Sequence, residues 1–256
     1  MGHDVPGSPV VQISGSPLGQ GVAVQISGTS CGLFFGHESG NADCVTRQYS
    51  TQPADPEDFT RRFDRFYSSF APAYDVLVKL GPVWKSWLAH ALPHIRGPRV
   101  LEVSCGTGYL LIQYADQVQA SAIDLNAKMV EVTTKNLSQA GLSADVQRAD
   151  VESLPYADET FDTVLNTMSF SGYPDGQAAL AEMSRVLRPG GRLVLIDVGY
   201  PDDENKVGTL LTKLWRWSGD LIRDMDALLR EAGFDYRKQS IGGFGSVHLY
   251  VATKQN

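Results

Sequence analysis

From Arg99 to the C-terminus, short apolar runs alternate with amphipathic helical stretches, and this alternation restricts the chain more than any other feature. Arg99–Val103, Ala120–Ile123, Ala144–Gln147, Phe161–Thr167 and Arg192–Ile196 read as strands, apolar and too short for buried helices. Tyr109–Tyr114 reads as a helix. Asn126 can cap the next, which carries Met129, Val130 and Leu137 and ends at Gly141. Asp175 can cap another with Leu180, Met183 and Leu187 on one face, stopped at Arg188-Pro189-Gly190-Gly191. A further helix spans about Asp220–Ala232. Phe234–Ile241 and Val247–Thr253 then make a hairpin around Gly242–Gly245. Strands alternating with helices imply an α/β fold: a doubly wound, mostly parallel sheet of seven strands, with a C-terminal antiparallel hairpin. Such sheets bind ligands beyond the carboxyl ends of their strands, where the strand order reverses.

Upstream, Thr60–Ile95 is helical in pattern, interrupted by Pro72 and Pro82. Residues 1–50 differ in kind. They hold nine of the chain's 25 glycines and only one Lys or Arg, Arg47, and Val11–Gly15 repeats as Val24–Gly28. Too little of this stretch is apolar to bury a face, so 1–55 is expected to be a disordered arm. The domain proper would be 56–256, with lead-in or lid helices over 56–97 and the core over 98–256. Arg47-Gln48-Tyr49-Ser50 resembles a processing site, which would make residues 1–49 a mitochondrial presequence. The segment nevertheless lacks the arginine-rich amphipathic character of one, and a cytoplasmic location is the main expectation.

A formal net charge of -7 argues against a non-specific nucleic-acid binder. No apolar run approaches the ~20 residues of a membrane span, so no stable membrane insertion is expected. Cys31, Cys44 and Cys105 are too few and too scattered for a disulfide framework or a metal knuckle. His90 and His94 sit at i, i+4, but Pro93 separates them and no carboxylate follows, so no metal site is expected.

The chemistry concentrates at three strand ends. Glu102-Val103-Ser104-Cys105-Gly106-Thr107-Gly108 follows the first strand, and its glycines let backbone approach a ligand closely. Asp124 closes the second strand, where a carboxylate can accept hydrogen bonds from both hydroxyls of a ribose. Asp150 follows the third strand, beside Val151, where it could accept from an adenine amine. Asn166 and Thr167 end the fourth strand. A dinucleotide fingerprint would need glycine where Leu111 stands, and Glu102 would place negative charge near the phosphates. A nicotinamide oxidoreductase is therefore the alternative reading.

VLEVSCGTGYL resembles the first motif of class I S-adenosyl-L-methionine-dependent methyltransferases, and AIDLN, ADVESLPYADETFDTVLNTMSF and EMSRVLRPGGRLVLID resemble the later ones in order and spacing. The likeness covers about Phe59 to Thr253. It is nearest to the broad group that includes the ubiquinone/menaquinone biosynthesis enzymes and many small-molecule methyltransferases. Tyr67–Asp75 is similar to that group's lead-in. The resemblance implies a Rossmann-like core and S-adenosyl-L-methionine as cofactor. It also implies roles by position. Tyr74 would cover the methionine end, which Glu102, Gly106 and Gly108 would line. Asp124, Leu125 and Met129 would hold ribose and adenine, Asp150 and Val151 adenine. Asn166 would lie beneath the sulfonium. Ser104 stands where the group more often has glycine, and is expected to keep the loop while offering a hydroxyl contact.

The acceptor is expected to be a small, hydrophobic molecule methylated at O, N, S or C. Phe170–Tyr173, Tyr200, Leu214–Trp217 and the lead-in helices around Phe70 and Tyr74 would form an aromatic, apolar pocket. His248 and Tyr173 are the candidate bases, although a histidine on a strand is more simply a packed one. Asp197 is either structural or faces the pocket. A non-catalytic adaptor that binds the cofactor is a further alternative, and the oligomeric state is not legible.

Overall fold

The computed structural model describes residues 47–50, 52–65, 68 and 81–255. Residues 1–46 and 51 of the arm, and with them nearly all of the presequence reading, lie outside the described residues, as do Tyr74, Phe70 and most of the Tyr67–Asp75 lead-in. Ser50–Asn256 forms one compact unit; of the other, Met1–Tyr49, only 47–49 are described.

Seven strands make one sheet: β1 Arg99–Val103, β2 Gln119–Asp124, β3 Asp145–Arg148, β4 Phe161–Thr167, β5 Leu187–Val198, β6 Phe234–Gly242 and β7 Val247–Lys254. Their order is β3-β2-β1-β4-β5-β7-β6, with only β7 antiparallel to its neighbours. The chain walks outward from β1 to β3 and returns to β4, so the switch point lies between β1 and β4, where Val103 pairs with Asn166.

Composition explains the order. β1 and β4 are buried on both faces along almost their whole length, as interior parallel strands are. β3 and β6 at the edges are polar or alternating, which discourages pairing with another chain. Odd and even residues feed opposite cores. On one face Leu101, Val103, Leu193 and Leu195 pack with Leu180, Met183 and Leu229. On the other, Val100, Val194 and Ile196 pack with Leu88, Leu111 and Leu137.

Helix α1 is described over 56–65. It is followed by α2 Pro82–Ala89, α3 Ala127–Gln139, α4 Gly176–Val186, α5 Lys206–Ser218 and α6 Met225–Glu231. Asn126 and Asp175 cap α3 and α4 as the sequence suggests, their side chains accepting from Met129 N and from Gln177 and Ala178 N.

Three expectations change. Tyr109–Tyr114 is only a 3₁₀ turn at Leu111–Gln113, because i→i+3 bonds such as Gln113 N to Leu110 O interrupt the α pattern. α6 begins at Met225 rather than Asp220: Asp224 caps it by accepting from Ala227 N, while Leu221 N is spent on Ser171 O. α4 stops at Val186, because Leu187 is already extended and pairs with Phe161. Among the described residues, no helix is long and apolar enough to cross a membrane, and no side-chain group has the makings of a metal site.

Candidate active site

The loop after β1 turns through left-handed backbone at alternate residues, Ser104, Gly106 and Gly108, at φ +53°, +56° and +73°. Asp124 anchors it from the end of β2: one carboxylate oxygen accepts Gly106 N at 2.9 Å, the other Asn126 N at 2.9 Å. From α3, the Thr133 hydroxyl donates to Gly106 O at 2.7 Å and Asn136 Nδ2 to Thr107 O at 2.9 Å. A Cβ on Gly106 would meet nothing within 4 Å, whereas one on Gly108 would strike Thr133 at 2.8 Å. The first glycine thus faces open space and the last fits against α3.

Only glycine adopts φ near +53° without strain, and a serine there costs about 1 kcal/mol. Ser104 recovers part of this through a 2.8 Å hydrogen bond between its hydroxyl and that of Tyr173. Ser104→Gly removes strain and bond together, so its stability should stay within about 1 kcal/mol of the parent. Ser104→Ala keeps the strain and loses the bond. Its thermal midpoint should fall below that of Ser104→Gly, and the reverse order would show that the left-handed backbone at this position carries no strain.

The loop forms one end of a cavity of about 1070 Å³, including its mouth. Ser104, Gly106, Asp124, Leu125, Met129, Asp150 and Val151 all stand on its walls. Arg148 Nε holds Leu125 O at 2.9 Å, and Asp150 accepts Glu152 N at 2.9 Å. The far wall comes from Thr167–Ser169 and Ser171–Pro174, with Asp220; Thr60, Phe63 and Asp64 of α1 complete it. Asn126 ties α1 down by donating to the carboxylate and carbonyl of Asp64 and to the Ser68 hydroxyl.

Glu102, Gly108 and Asn166 lie behind these walls rather than on them. Glu102 is buried against the Tyr114 hydroxyl, which donates to it at 2.8 Å, and burial pushes its carboxyl up to about 8. Asp124 is pushed up to about 6, also by burial, although its two backbone hydrogen bonds pull the other way. Asn166 donates to the Tyr173 hydroxyl at 2.5 Å, while its own carbonyl oxygen is buried without a partner.

Tyr173 is on the wall, but burial pushes its hydroxyl well above the ordinary tyrosine range, so it keeps its proton. His248 is sealed inside the sheet. Its Nε2 lies 3.1 Å from Tyr200 O, so that nitrogen carries the proton, and burial lowers its basicity. The expected apolar acceptor pocket needs correction. Phe170 and Tyr200 are in the core, Trp215 is half-buried against it, and Trp217 is 87% exposed. None of the four lines the cavity, and Ser169, Ser171 and Asp220 make that wall more polar than the sequence suggested. Sequence reasoning passed over Thr133, Asn136, Tyr114 and Asp220. For the first two a signal existed: Asn126, Thr133 and Asn136 put a polar stripe on one face of α3.

The methyltransferase domain family matches residues 101–195, the stretch that supplies β1 to β5 and most of the cavity. A ubiquinone/menaquinone biosynthesis C-methyltransferase of Teredinibacter turnerae is 30% identical over 208 residues, covering 77% of this chain and 82% of the relative. The chain belongs to the class I S-adenosyl-L-methionine-dependent methyltransferases. A demethylmenaquinone methyltransferase of Deinococcus radiodurans is 36% identical to this methyltransferase over 167 residues, 61% of this chain and 68% of the relative. Among solved structures, the [4+2]-cyclase SpnF aligns with a TM-score of 0.66 at 19% identity, covering 80% of this chain and 99% of that one. A possible histamine N-methyltransferase of Thermotoga maritima gives 0.61 at 20% identity, covering 75% and 99%. Those two show a shared fold and leave the acceptor open. Membership of the family sets aside the dinucleotide reading of the glycine turn.

Proposed function

We propose that this methyltransferase alkylates a ring carbon of a reduced quinone, a small and largely apolar acceptor. The observation that carries this reading is one continuous cavity, running from Asp124 and Asp150 to the Ser169–Tyr173 wall across the switch point. The donor end suits an adenosyl group. Each Asp124 oxygen spends one lone pair on a backbone N–H and keeps another for a ribose hydroxyl. Met129 and Val151 offer apolar flanks for adenine, with Asp150 placed for its amine. Glu102 and Asn166 would act from behind the wall, and Asn166 has a carbonyl oxygen to spare.

The sulfonium supplies an already activated methyl group. The protein's part is to align donor and acceptor and to keep water out. The names of the curated relatives support a quinone acceptor. The chemistry selects its reduced form, since an electrophilic methyl needs an electron-rich ring carbon. The domain is proposed as 56–256, preceded by the arm.

The test is calorimetric titration with S-adenosyl-L-methionine and with NADH, followed by incubation with dithionite-reduced demethylmenaquinone and mass spectrometry. Binding of the first alone, and a product heavier by one CH2 unit on a ring carbon, are expected. A cofactor-binding protein that leaves the quinol unchanged would end the acceptor reading.

A further inference from the structure

We infer that Asp220, joined through the Ser171 hydroxyl to Asp197, accepts the proton that the acceptor's hydroxyl loses on the way to methyl transfer. This rests on the quinol reading above and assigns that reaction its base.

Ser171 Oγ stands 2.9 Å from an oxygen of Asp220 and 3.1 Å from one of Asp197. A serine has one proton to give. With both carboxylates ionised, only one of these contacts is a hydrogen bond, and the other sets lone pair against lone pair. Asp197 has the prior claim to remain an anion, because it also accepts the backbone N–H of Ser171 at 2.8 Å and of Val198 at 2.6 Å. The Ser218 hydroxyl is 3.1 Å from Asp220 but closer, at 2.7 Å, to Trp215 O. The trio therefore lacks one proton. Supplied at Asp220, it completes the chain, with Asp220 donating to Ser171 and Ser171 to Asp197.

Asp220 is also held where an acceptor would lie. It follows the left-handed C-cap of α5, Gly219 at φ +118°, and Leu221 N bonds Ser171 O at 2.8 Å. Of this trio Ser171 and Asp220 reach the cavity wall, and Asp197 stands behind them. The other acids on the wall are engaged or lie at the donor end: Glu152 accepts Asp175 N, Asp64 holds Asn126, and Asp124 and Asp150 face the adenosyl side. Burial raises the affinity of both Asp197 and Asp220 for a proton. Arg223, charged and close to Asp197, moderates this from the segment before α6.

In the step, the acceptor's O–H bond breaks, its electron pair stays on oxygen, and the proton passes to Asp220. The ring carbon, now richer in electrons, takes the methyl, and the carbon–sulfur pair remains on sulfur. On rearomatisation the ring hydrogen replaces the proton on oxygen, and Asp220 releases its own to solvent.

The experiment compares the full chain with Asp220→Asn and Ser171→Ala, using dithionite-reduced demethylmenaquinone across a pH series, with S-adenosyl-L-methionine affinity measured alongside. Asp220→Asn should bind the cofactor as the parent does and lower kcat about 10²-fold, losing the acidic limb of the rate profile. Ser171→Ala, which leaves Asp220 in place, should lower kcat about tenfold and displace that limb. An active parent whose Asp220→Asn variant retains kcat within about threefold, acidic limb included, would overturn the assignment of the base. A parent that binds the cofactor and leaves the quinol unmethylated would overturn the acceptor reading and this inference together.

Discussion

Asp124→Ala should weaken S-adenosyl-L-methionine binding by about 1–3 kcal/mol, roughly fivefold to 150-fold, while the domain stays folded. The Asp124 carboxylate stands on the cavity wall at the end of β2, and each oxygen has one lone pair left after serving Gly106 N and Asn126 N. Removing it takes away the ribose partner and frees the glycine loop from its anchor. Asp124→Asn, which keeps one acceptor, should fall between the parent and the alanine variant. Burial raises this carboxyl to about 6, so affinity should decline as pH falls through that value and the acceptor acquires a proton. Stability moves oppositely. Between the ordinary 3.8 and about 6 the folded state holds more protons than the unfolded one, so this group's contribution diminishes as pH rises through that window. Calorimetric titration at several pH values checks the affinities, thermal unfolding over the same pH series checks the stability, and unchanged affinity in the alanine variant would remove Asp124 from the site.

Arg223→Ala should cost about 3–5 kcal/mol of folding stability, the range for breaking one half of a buried charged cluster. The guanidinium is 9% exposed. It donates to the carbonyls of Phe170 at 3.1 Å, Tyr173 and Pro174 at 3.1 Å, and lies 5.7 Å from the centre of the Phe170 ring. Asp197, Asp175 and Glu152 supply the compensating negative charge. Alanine leaves three carbonyls short of donors inside the protein, each costing about 1–3 kcal/mol if nothing replaces the arginine. Lysine should not rescue the variant, since a compact ammonium does not reproduce the guanidinium's rigid fork of donors that reaches these three carbonyls. The midpoint of thermal unfolding should drop on the order of 10 °C. A drop of under about 2 °C would mean that water takes over the carbonyls.

The succession of strands and helices, and the cavity wall around Asp124, were legible because both rest on local pattern. An apolar run ending in Asp124 carries its own meaning, since a strand's last residue points out of the sheet edge whatever else the chain does, and Asp150 follows the next strand by two residues. The capping residues Asn126 and Asp175 were legible for the same reason. What escaped depends on distant partners. Asp220 looked like part of a helix because Leu221, Ile222 and Met225 share a helical stripe, but Leu221 N is taken by Ser171, 50 residues earlier. Arg223 falls between the members of that stripe and reads as an ordinary surface cation until the carbonyls of Phe170 and Tyr173 take its guanidinium. Trp217 pointed to an apolar pocket by type alone, and the turn of α5 aims it at solvent.

The two ends of the cavity draw on separate stretches of chain: residues 104–151 at one end, 167–174 with Asp220 at the other. Although the Ser104–Tyr173 hydrogen bond ties the glycine loop to the second stretch, within 104–151 α3 steadies that loop through Thr133 and Asn136. Inheritance can therefore treat them as separate cassettes. On the proposed reading, a lineage is free to rewrite the second and trade one methylated molecule for another, while the first goes on presenting the same donor.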